Sequence, residues 1–291
     1  MISKEKTHVL IAGADGNLGK QVAWALLGDK EGRYNVLPYT TSNTSLGVNF
    51  EGYMDQGRGG HIEMEAYTFG SPAFAEKLLQ DKEELGSFLV VDCTTIRQAD
   101  VAEFYASVLV GLPTIIMGTI GLKNPENEKD LTALAEEHKD DNFTVSRVTN
   151  GAAAIAAILK ALSTIPQESP NAFTGLRFLP GETHQAKKKD PSGTAKQVID
   201  IFDRAGADTS AVLYSERDPS VQGGMWGVPP EHLDGHAYHK FTLVGEDQKI
   251  TIMTEINGRK PYALGMRDVI LPEIIRRLTE EPDKWQGSFV W

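Results

Sequence analysis

The stretch "THVLIAGADGNLGKQVAWALLG", residues 7 to 28, constrains the fold more than any other part of the chain. An apolar run, Thr7 to Ala12, reads as a buried strand. Three glycines then follow at G-x-x-G-x-x-G spacing, and Val22, Ala25 and Leu26 recur at helical intervals. Strand, tight turn and helix in that order open a βαβ unit. Further strand-like runs occupy Tyr34 to Thr40, Phe88 to Thr94 and Pro113 to Thr119, with the helical pattern "RQADVAEFYASVLVG" before the last, closed by Gly111. Strands alternating with helices predict an α/β fold, a Rossmann-like doubly wound parallel sheet.

The pattern changes near Asn150. A long Ala-rich helix, "GAAAIAAILKALSTI", leads into "FTGLRFLPGETH", a helix from Ser192, and the alternating strands "HKFTLVG" and "KITIMTEING". Helices mixed with antiparallel strands predict a second, α+β domain. The final periodic segment, "LGMRDVILPEIIRRL", reads as a helix returning to the first domain. The expected division is 1–150 plus 264–291 for a dinucleotide-binding domain and 151–263 for a substrate-binding and catalytic domain. A chain of 291 residues is long enough for two cores.

Composition excludes several classes of function. A formal net charge of −11 argues against nucleic acid, which is bound through clustered Lys and Arg. The longest apolar stretches are broken by charges such as Lys160 and fall short of the ~20 residues of a membrane span. The first eight residues are polar, so no secretory signal is expected. One cysteine, Cys93, permits no internal disulfide, and a reducing, cytoplasmic setting fits best. Its strand-like surroundings suggest a buried, inert thiol.

Glycines after a first strand let backbone N–H groups approach a pyrophosphate, whose charge is favoured at the helix start. Gly13, Asp15, Gly16, Asn17, Leu18 and Gly19 are therefore the expected phosphate-binding turn, against the alternative of a purely structural turn. Sites selective for NAD place Asp or Glu at the end of the second strand. Here the residues are "PYTTSNTS", with no carboxylate, and Thr40 and Thr41 offer hydroxyls to a 2′-phosphate or are ordinary loop residues. NADPH is the expected cofactor and NADH the alternative. The loops carrying Cys93 and Thr94, and Gly118, Thr119 and Ile120, leave apolar strands toward the ligand-binding edge and would line the nicotinamide half.

The densest chemistry lies in "GETHQAKKKDPSGTAK", residues 181 to 196. This stretch resembles the signature of the dihydrodipicolinate reductase family at Glu182, His184, Gln185, Lys188, Asp190, Ser192, Gly193, Thr194 and Ala195. "GADGNLG", "VVDCTT", "LPTIIMGTIG", "GVPPEHLDGHAYH" and "NGRKPYALGMRD" follow the family in order, with details closest to its plant-type branch. The resemblance implies a nicotinamide-dependent reductase of lysine and diaminopimelate biosynthesis, acting on a cyclic imine dicarboxylate. It implies His184 and Lys188 as the catalytic pair and Gln185, Ser192, Gly193, Thr194 and Arg259 as substrate-binding residues. His236 and His239 also match, but alternation along a strand reads more readily as structural. Ile120 departs from the family's usual Thr, and the Asp-Pro-Ser loop is one residue shorter than its bacterial form.

Elementary chemistry agrees with these roles. Hydride addition to a conjugated imine builds negative charge on nitrogen, which a cation and proton donor such as Lys188 relieves. The start of a helix after Pro191 offers amides at Gly193 to Ala195 to a carboxylate. Arg259 can clamp a second carboxylate. Lys187 and Lys189 read as solvated, and Glu182 and Asp190 as residues that orient the loop. His232 and His236 stand at H-x-x-x-H spacing, but with a single cysteine no C-x-x-C pair accompanies them, and no metal is expected. The expected partners are a small dicarboxylate and further copies of the chain in a homo-oligomer. Two other readings stay open: an idle relative that binds or assembles, and an imine reductase with a different substrate.

Overall fold

The computed structural model describes residues 6–40, 48–49, 61–62, 64–86, 88–94, 98–109, 114–117, 130, 133–134, 136–138, 144–148, 150–188, 191–280 and 287–290. The chain divides into two compact units, Met1–Gly151 with Tyr262–Trp291, and Ala152–Pro261. No helix among the described residues is long and apolar enough to cross a membrane.

The first unit is built on strands β1 (Thr7–Ala12), β2 (Tyr34–Thr40), β5 (Glu65–Ala66), β6 (Phe88–Asp92), β7 (Thr114–Met117), β8 (Thr144–Val148) and β13 (Gly287–Val290). They form one sheet in the order β13-β8-β7-β6-β1-β2-β5, with every pair parallel. A two-residue ribbon, β3 (Val48–Asn49) with β4 (His61–Ile62), stands outside it. Alternation along the central strands explains the burial of both faces. Val9, Ile11, Leu89 and Val91 pack with helix α1 (Gly19–Leu27) and with Met266, Ile270, Leu271 and Ile274 of the C-terminal segment. Leu10, Ala12, Phe88 and Val90 point the other way, against helices α2 (Pro72–Leu85) and α3 (Gln98–Val108).

The sequence expectation of a doubly wound sheet is met, with shorter elements. β6 stops at Asp92, so Cys93 and Thr94 belong to the following loop. β8 (T-V-S-R-V) and the edge strand β13 (G-S-F-V) are additions that no long apolar run announces.

The second unit carries a four-stranded sheet in the order β10 (Tyr214–Glu216), β9 (Arg177–His184), β11 (His236–Val244), β12 (Lys249–Asn257). β11 runs antiparallel to β9 and β12, and β10 parallel to β9. Helices α4 (Ala153–Ser163) and α5 (Ile165–Glu168) precede this sheet. Helix α6 (Gly193–Arg204) lies on one face of it, placing Ala195, Val198 and Phe202 on Phe178, Phe241 and Leu243. Phe178 and Phe202 have ring centroids 4.9 Å apart, and burying each contributes roughly 1.5–3 kcal/mol. Helix α7 (Pro219–Met225) follows β10, and α8 (Lys260–Gly265) begins the return. A π-helical turn, Met266–Ile270, joins α8 to α9 (Leu271–Glu280).

β1 is the strand at which the sheet order reverses, with β2 on one side and β6 on the other, the place where open α/β sheets bind ligands. The turn after β1 needs its glycines. Gly13 has φ +72°, and a Cβ on it would lie 3.2 Å from the backbone of Cys93 and Thr94. A Cβ on Gly19 would lie 2.0 Å from the Gly13 carbonyl oxygen, closer than any atom pair tolerates. We expect Gly19→Ala to destabilise the first unit by about 1–3 kcal/mol, the cost of overpacking, and to weaken nicotinamide-cofactor binding at least tenfold. Denaturant melts and fluorescence titration with NADPH test this; unchanged stability and affinity would contradict the close packing of turn and helix.

Candidate active site

The signature loop grows out of the end of β9, and strand periodicity decides where its residues go. Phe178, Pro180, Glu182 and His184 alternate onto the face that carries α6. Register places Glu182 opposite His239, and His239 opposite Thr254. The apolar face therefore ends in a polar rung of three residues from three strands, with the start of α6 above it.

Glu182 is fully buried and ionised. Its Oε2 accepts from the Ser192 N–H at 2.9 Å, while Oε1 accepts from Ser215 Oγ at 2.7 Å and from Arg217 Nη2 at 2.6 Å. Burial alone would raise its carboxyl, but the hydrogen bonds from Arg217, Ser192 and Ser215 outweigh that and hold it below the usual carboxylate range. Arg217 also donates through Nε to the Lys188 carbonyl at 2.8 Å and through Nη1 to the Glu216 carbonyl at 2.7 Å.

Ser192 has the extended conformation of an N-cap, and its Oγ accepts from the Ala195 N–H at 3.0 Å. This corrects the expectation that Ala195 offers its amide to an anion; the cap has taken it. Gly193 and the buried Thr194 form the first turn. The same Oγ lies 2.9 Å from His239 Nε2, whose Nδ1 is 3.1 Å from Thr254 Oγ1. The imidazole thus ties the cap to β12, a role beyond the structural one read from alternation. His236 is structural in the ordinary sense: Nδ1 donates to the His232 carbonyl and Nε2 accepts from Thr183 Oγ1, each at 3.1 Å.

His184 is buried at the end of β9, and its Nε2 has no hydrogen-bond partner among the described residues. Its ring is 5.3 Å from that of His239, its Nε2 is 3.7 Å from Glu182 Oε2, and its carbonyl accepts from Gln222 Nε2 at 2.7 Å. Lys188, half-buried, follows in a turn closed by its N–H donating to the Gln185 carbonyl at 2.9 Å. Lys189 and Asp190 lie outside the described residues. Arg259 stands three residues past Ile256, which shares the His184–Ala237 rung, so it belongs to the same end of the sheet. Its guanidinium rests near Gly235, where a Cβ would lie 3.2 Å from Nη1.

The cofactor candidates among the described residues lie in the first unit, most of them in or beside the turn after β1. The Gly16 N–H closes that turn on the Gly13 carbonyl at 3.0 Å, and Asp15, Asn17 and Leu18 complete it before α1. Cys93 donates its N–H to the Ala12 carbonyl, and burial pushes its thiol far above the usual range. Thr94 turns inward, its N–H and Oγ1 donating to Asp92 Oδ1 at 2.9 and 2.6 Å. Asp92 is buried, accepts also from the Tyr105 hydroxyl, and has its carboxyl raised by burial. Thr40 is fully buried at the end of β2. Thr41, Gly118, Thr119 and Ile120 lie outside the described residues.

Arg217, Ser215, Gln222 and Thr254 escaped the sequence reading because none falls in the signature; strand register and the β10–α7 corner bring them in. The adjacency of Arg217 to "YSE", a short run pairing with β9, was the one available signal.

No family model matches the chain. Curated plant proteins do. The chain is 32% identical over 268 residues to 4-hydroxy-tetrahydrodipicolinate reductase 1, chloroplastic, of Arabidopsis thaliana, covering 90% of this chain and 71% of that protein. It is 31% identical over 267 residues to probable 4-hydroxy-tetrahydrodipicolinate reductase 2, chloroplastic, of Oryza sativa subsp. japonica, covering 90% and 76%. The chain belongs to the 4-hydroxy-tetrahydrodipicolinate reductase family. Membership makes it a reductase, an oxidoreductase that works with a nicotinamide cofactor. A solved dihydrodipicolinate reductase from Paenisporosarcina sp. TG-14, with dipicolinate bound, shares its fold at a TM-score of 0.60 and 14% identity, over 98% of each chain.

Within this reductase fold, Glu182, His184 and His239 also form a trio whose donor atoms lie within 4.8 Å of one another. Both Glu182 oxygens already accept hydrogen bonds, one from a guanidinium, and a divalent ion there would meet that cation. The trio suits proton handling better. Burial holds His184 well below its usual range and His239 down at about 4, and the Lys188 and Arg217 charges add to both effects; burial lowers His236 too. The unfolded chain binds these protons near pH 6.5, whereas the folded site refuses them until lower pH. Stability therefore rises with pH across that window and is lost on acidification. We expect unfolding free energy to fall between pH 6.5 and 5 by up to about 1.4 kcal/mol per unit for each such histidine, with a shallower slope in His239→Gln. Urea melts at several pH values check it, and a flat profile would contradict neutral buried histidines.

Proposed function

We propose that the chain reduces 4-hydroxy-tetrahydrodipicolinate to tetrahydrodipicolinate, using NADPH at least as well as NADH, as in lysine and diaminopimelate biosynthesis. The observation that carries this reading is one buried carboxylate, Glu182, which lies beside His184, accepts from the capped start of α6 and, through Arg217, is joined to the Lys188 carbonyl. The cradle after β1, too tight for any side chain at Gly19, fits a pyrophosphate at the N-terminus of α1. When bound there, the cofactor supplies a hydride. The missing carboxylate at the end of β2 supports a 2′-phosphate.

The rest of the chemistry falls to the chain's residues. One substrate carboxylate sits at Gly193 and Thr194, where helix dipole and backbone donors favour an anion. Arg259 clamps the other, and Gln185 contributes a polar contact. Loss of the hydroxyl as water leaves a conjugated imine; a hydride to carbon and a proton to the atom gaining the electron pair complete the reduction. Lys188 stabilises the growing negative charge as a cation and delivers that proton. His184, neutral and with Nε2 unpartnered, relays a proton or accepts a hydrogen bond from the reacting group. Cys93 and Thr94, with Gly118, Thr119 and Ile120, line the nicotinamide half, Asp92 fixing Thr94. A homo-oligomer in a reducing, cytoplasmic compartment completes the reading; the plant relatives' names place those proteins in the chloroplast.

Absorbance assays with NADPH and NADH on enzymatically generated 4-hydroxy-tetrahydrodipicolinate test the activity. We expect Lys188→Ala to fold normally and lose turnover by roughly 10²- to 10⁴-fold, the worth of a positioned proton donor; near-normal turnover would remove Lys188 from the chemistry.

Thr194→Val and Arg259→Met should each raise the substrate KM about ten- to a hundredfold, matching ~1.5–3 kcal/mol for a charge-assisted hydrogen bond. Pyridine-2,6-dicarboxylate should compete with substrate and bind both variants more weakly. Its failure to inhibit the wild type would favour a reductase with a different substrate.

A further inference from the structure

A guanidinium outside the signature holds the signature loop in place. We propose that Arg217 is a positioning residue for the reaction: through one side chain it fixes the backbone that carries Lys188 and, by way of Glu182, the start of the anion-binding helix. The inference rests on the function proposed above and deepens it.

The geometry is specific to an arginine. Nε donates to the Lys188 carbonyl at 2.8 Å and Nη2 to Glu182 Oε1 at 2.6 Å, while Nη1 donates back to the Glu216 carbonyl at 2.7 Å. Three nitrogens in one rigid plane thus join β10, the carboxylate before the loop and a carbonyl inside it. The other oxygen of that carboxylate holds the Ser192 N–H at 2.9 Å, at the loop's far end. The loop is therefore tied at Lys188 and at Ser192 to a single buried ion pair, and the His184 carbonyl at its near end is held by Gln222 from the next helix. A lysine in place of Arg217 keeps the charge beside Glu182 but cannot reach all three partners. The core under α6 does not depend on the fork, because it is built from Phe178, Phe202 and Phe241 and their neighbours.

Such a brace acts on rate through distance. Displacing a reacting group by about 1 Å costs about a hundredfold, so loosening the Lys188 carbonyl should reduce kcat, and loosening Ser192 should weaken carboxylate binding. The test is a double-mutant cycle with Arg217→Lys and Lys188→Ala, read as kcat and KM separately, with NADPH affinity and circular dichroism as controls. We expect Arg217→Lys to remain folded, to bind NADPH normally, to lose kcat about 30- to 100-fold and to raise substrate KM several-fold. On the Lys188→Ala background its kcat cost should shrink to under about threefold while the KM cost persists, because only the first effect passes through Lys188. Costs in kcat that multiply, a variant that does not fold, or a variant with wild-type kcat would each overturn the proposal. If the wild type itself fails to turn over the hydroxylated imine, the functional reading fails instead. The brace is then judged by the affinity of pyridine-2,6-dicarboxylate, and an affinity unchanged in Arg217→Lys overturns it.

Discussion

An ionised carboxylate taken fully out of water is unstable by several kcal/mol unless its partners replace the lost solvent. Glu182 is such a group, and its three donors come from three separate places: the amide at the start of α6, the hydroxyl of Ser215 and the fork of Arg217. None of the three can move without leaving charge or a lone pair buried and unpaired. The penalty fixes the backbone at two points, Lys188 through Arg217 and Ser192 through its own N–H, because both answer to one carboxylate. The position of Lys188 and the direction of the first turn of α6 follow from that constraint.

The first unit reaches the same end with backbone instead of charge. Gly13 and Gly19 approach each other so closely that a methyl group at Gly19 would overlap a carbonyl oxygen. The turn is held by steric necessity, and Asp92 draws Thr94 inward beside it. A phosphate, which binds to backbone N–H groups, needs a surface without side chains. An imine undergoing reduction needs side chains at defined distances. Under the proposed function, each unit uses the kind of rigidity that its ligand requires.

That difference also explains what the sequence disclosed. The strand-turn-helix of residues 7 to 28 is local, and so is the helix that starts at Ser192; both are written in consecutive residues. Arg217 and His239 enter the site from 35 and 57 residues beyond Glu182 and Glu182's own strand gives no hint of them or, for His239, of the rung it shares. In the linear chain Arg217 is one charge in the exposed-looking run "SERDPS", and Thr254 one polar residue in a half-exposed strand. The claim on Ala195 was hidden for another reason: a serine at an N-cap competes with any ligand for the same amides, and only the geometry decides which amide it takes. β8 and β13 were missed because a short strand with serine and arginine carries no periodic signal until its neighbours supply the hydrogen bonds.

The neutral histidines follow from the same arrangement. Burial disfavours their charged forms, and the Arg217 and Lys188 cations disfavour them further, with only Glu182 pulling the other way. In the free site, then, His184 has a lone pair or a proton to offer at Nε2 but no positive charge. A dianionic substrate held at α6 and Arg259 would reverse the local field, making a proton on His184 less costly at the stage when the reduced nitrogen needs one. Under the proposed chemistry the residue is therefore a neutral, hydrogen-bonding imidazole before binding and more readily protonated, so able to carry a proton, after it. The change requires no movement of the backbone, which the ion pair of Glu182 and Arg217 holds fixed throughout.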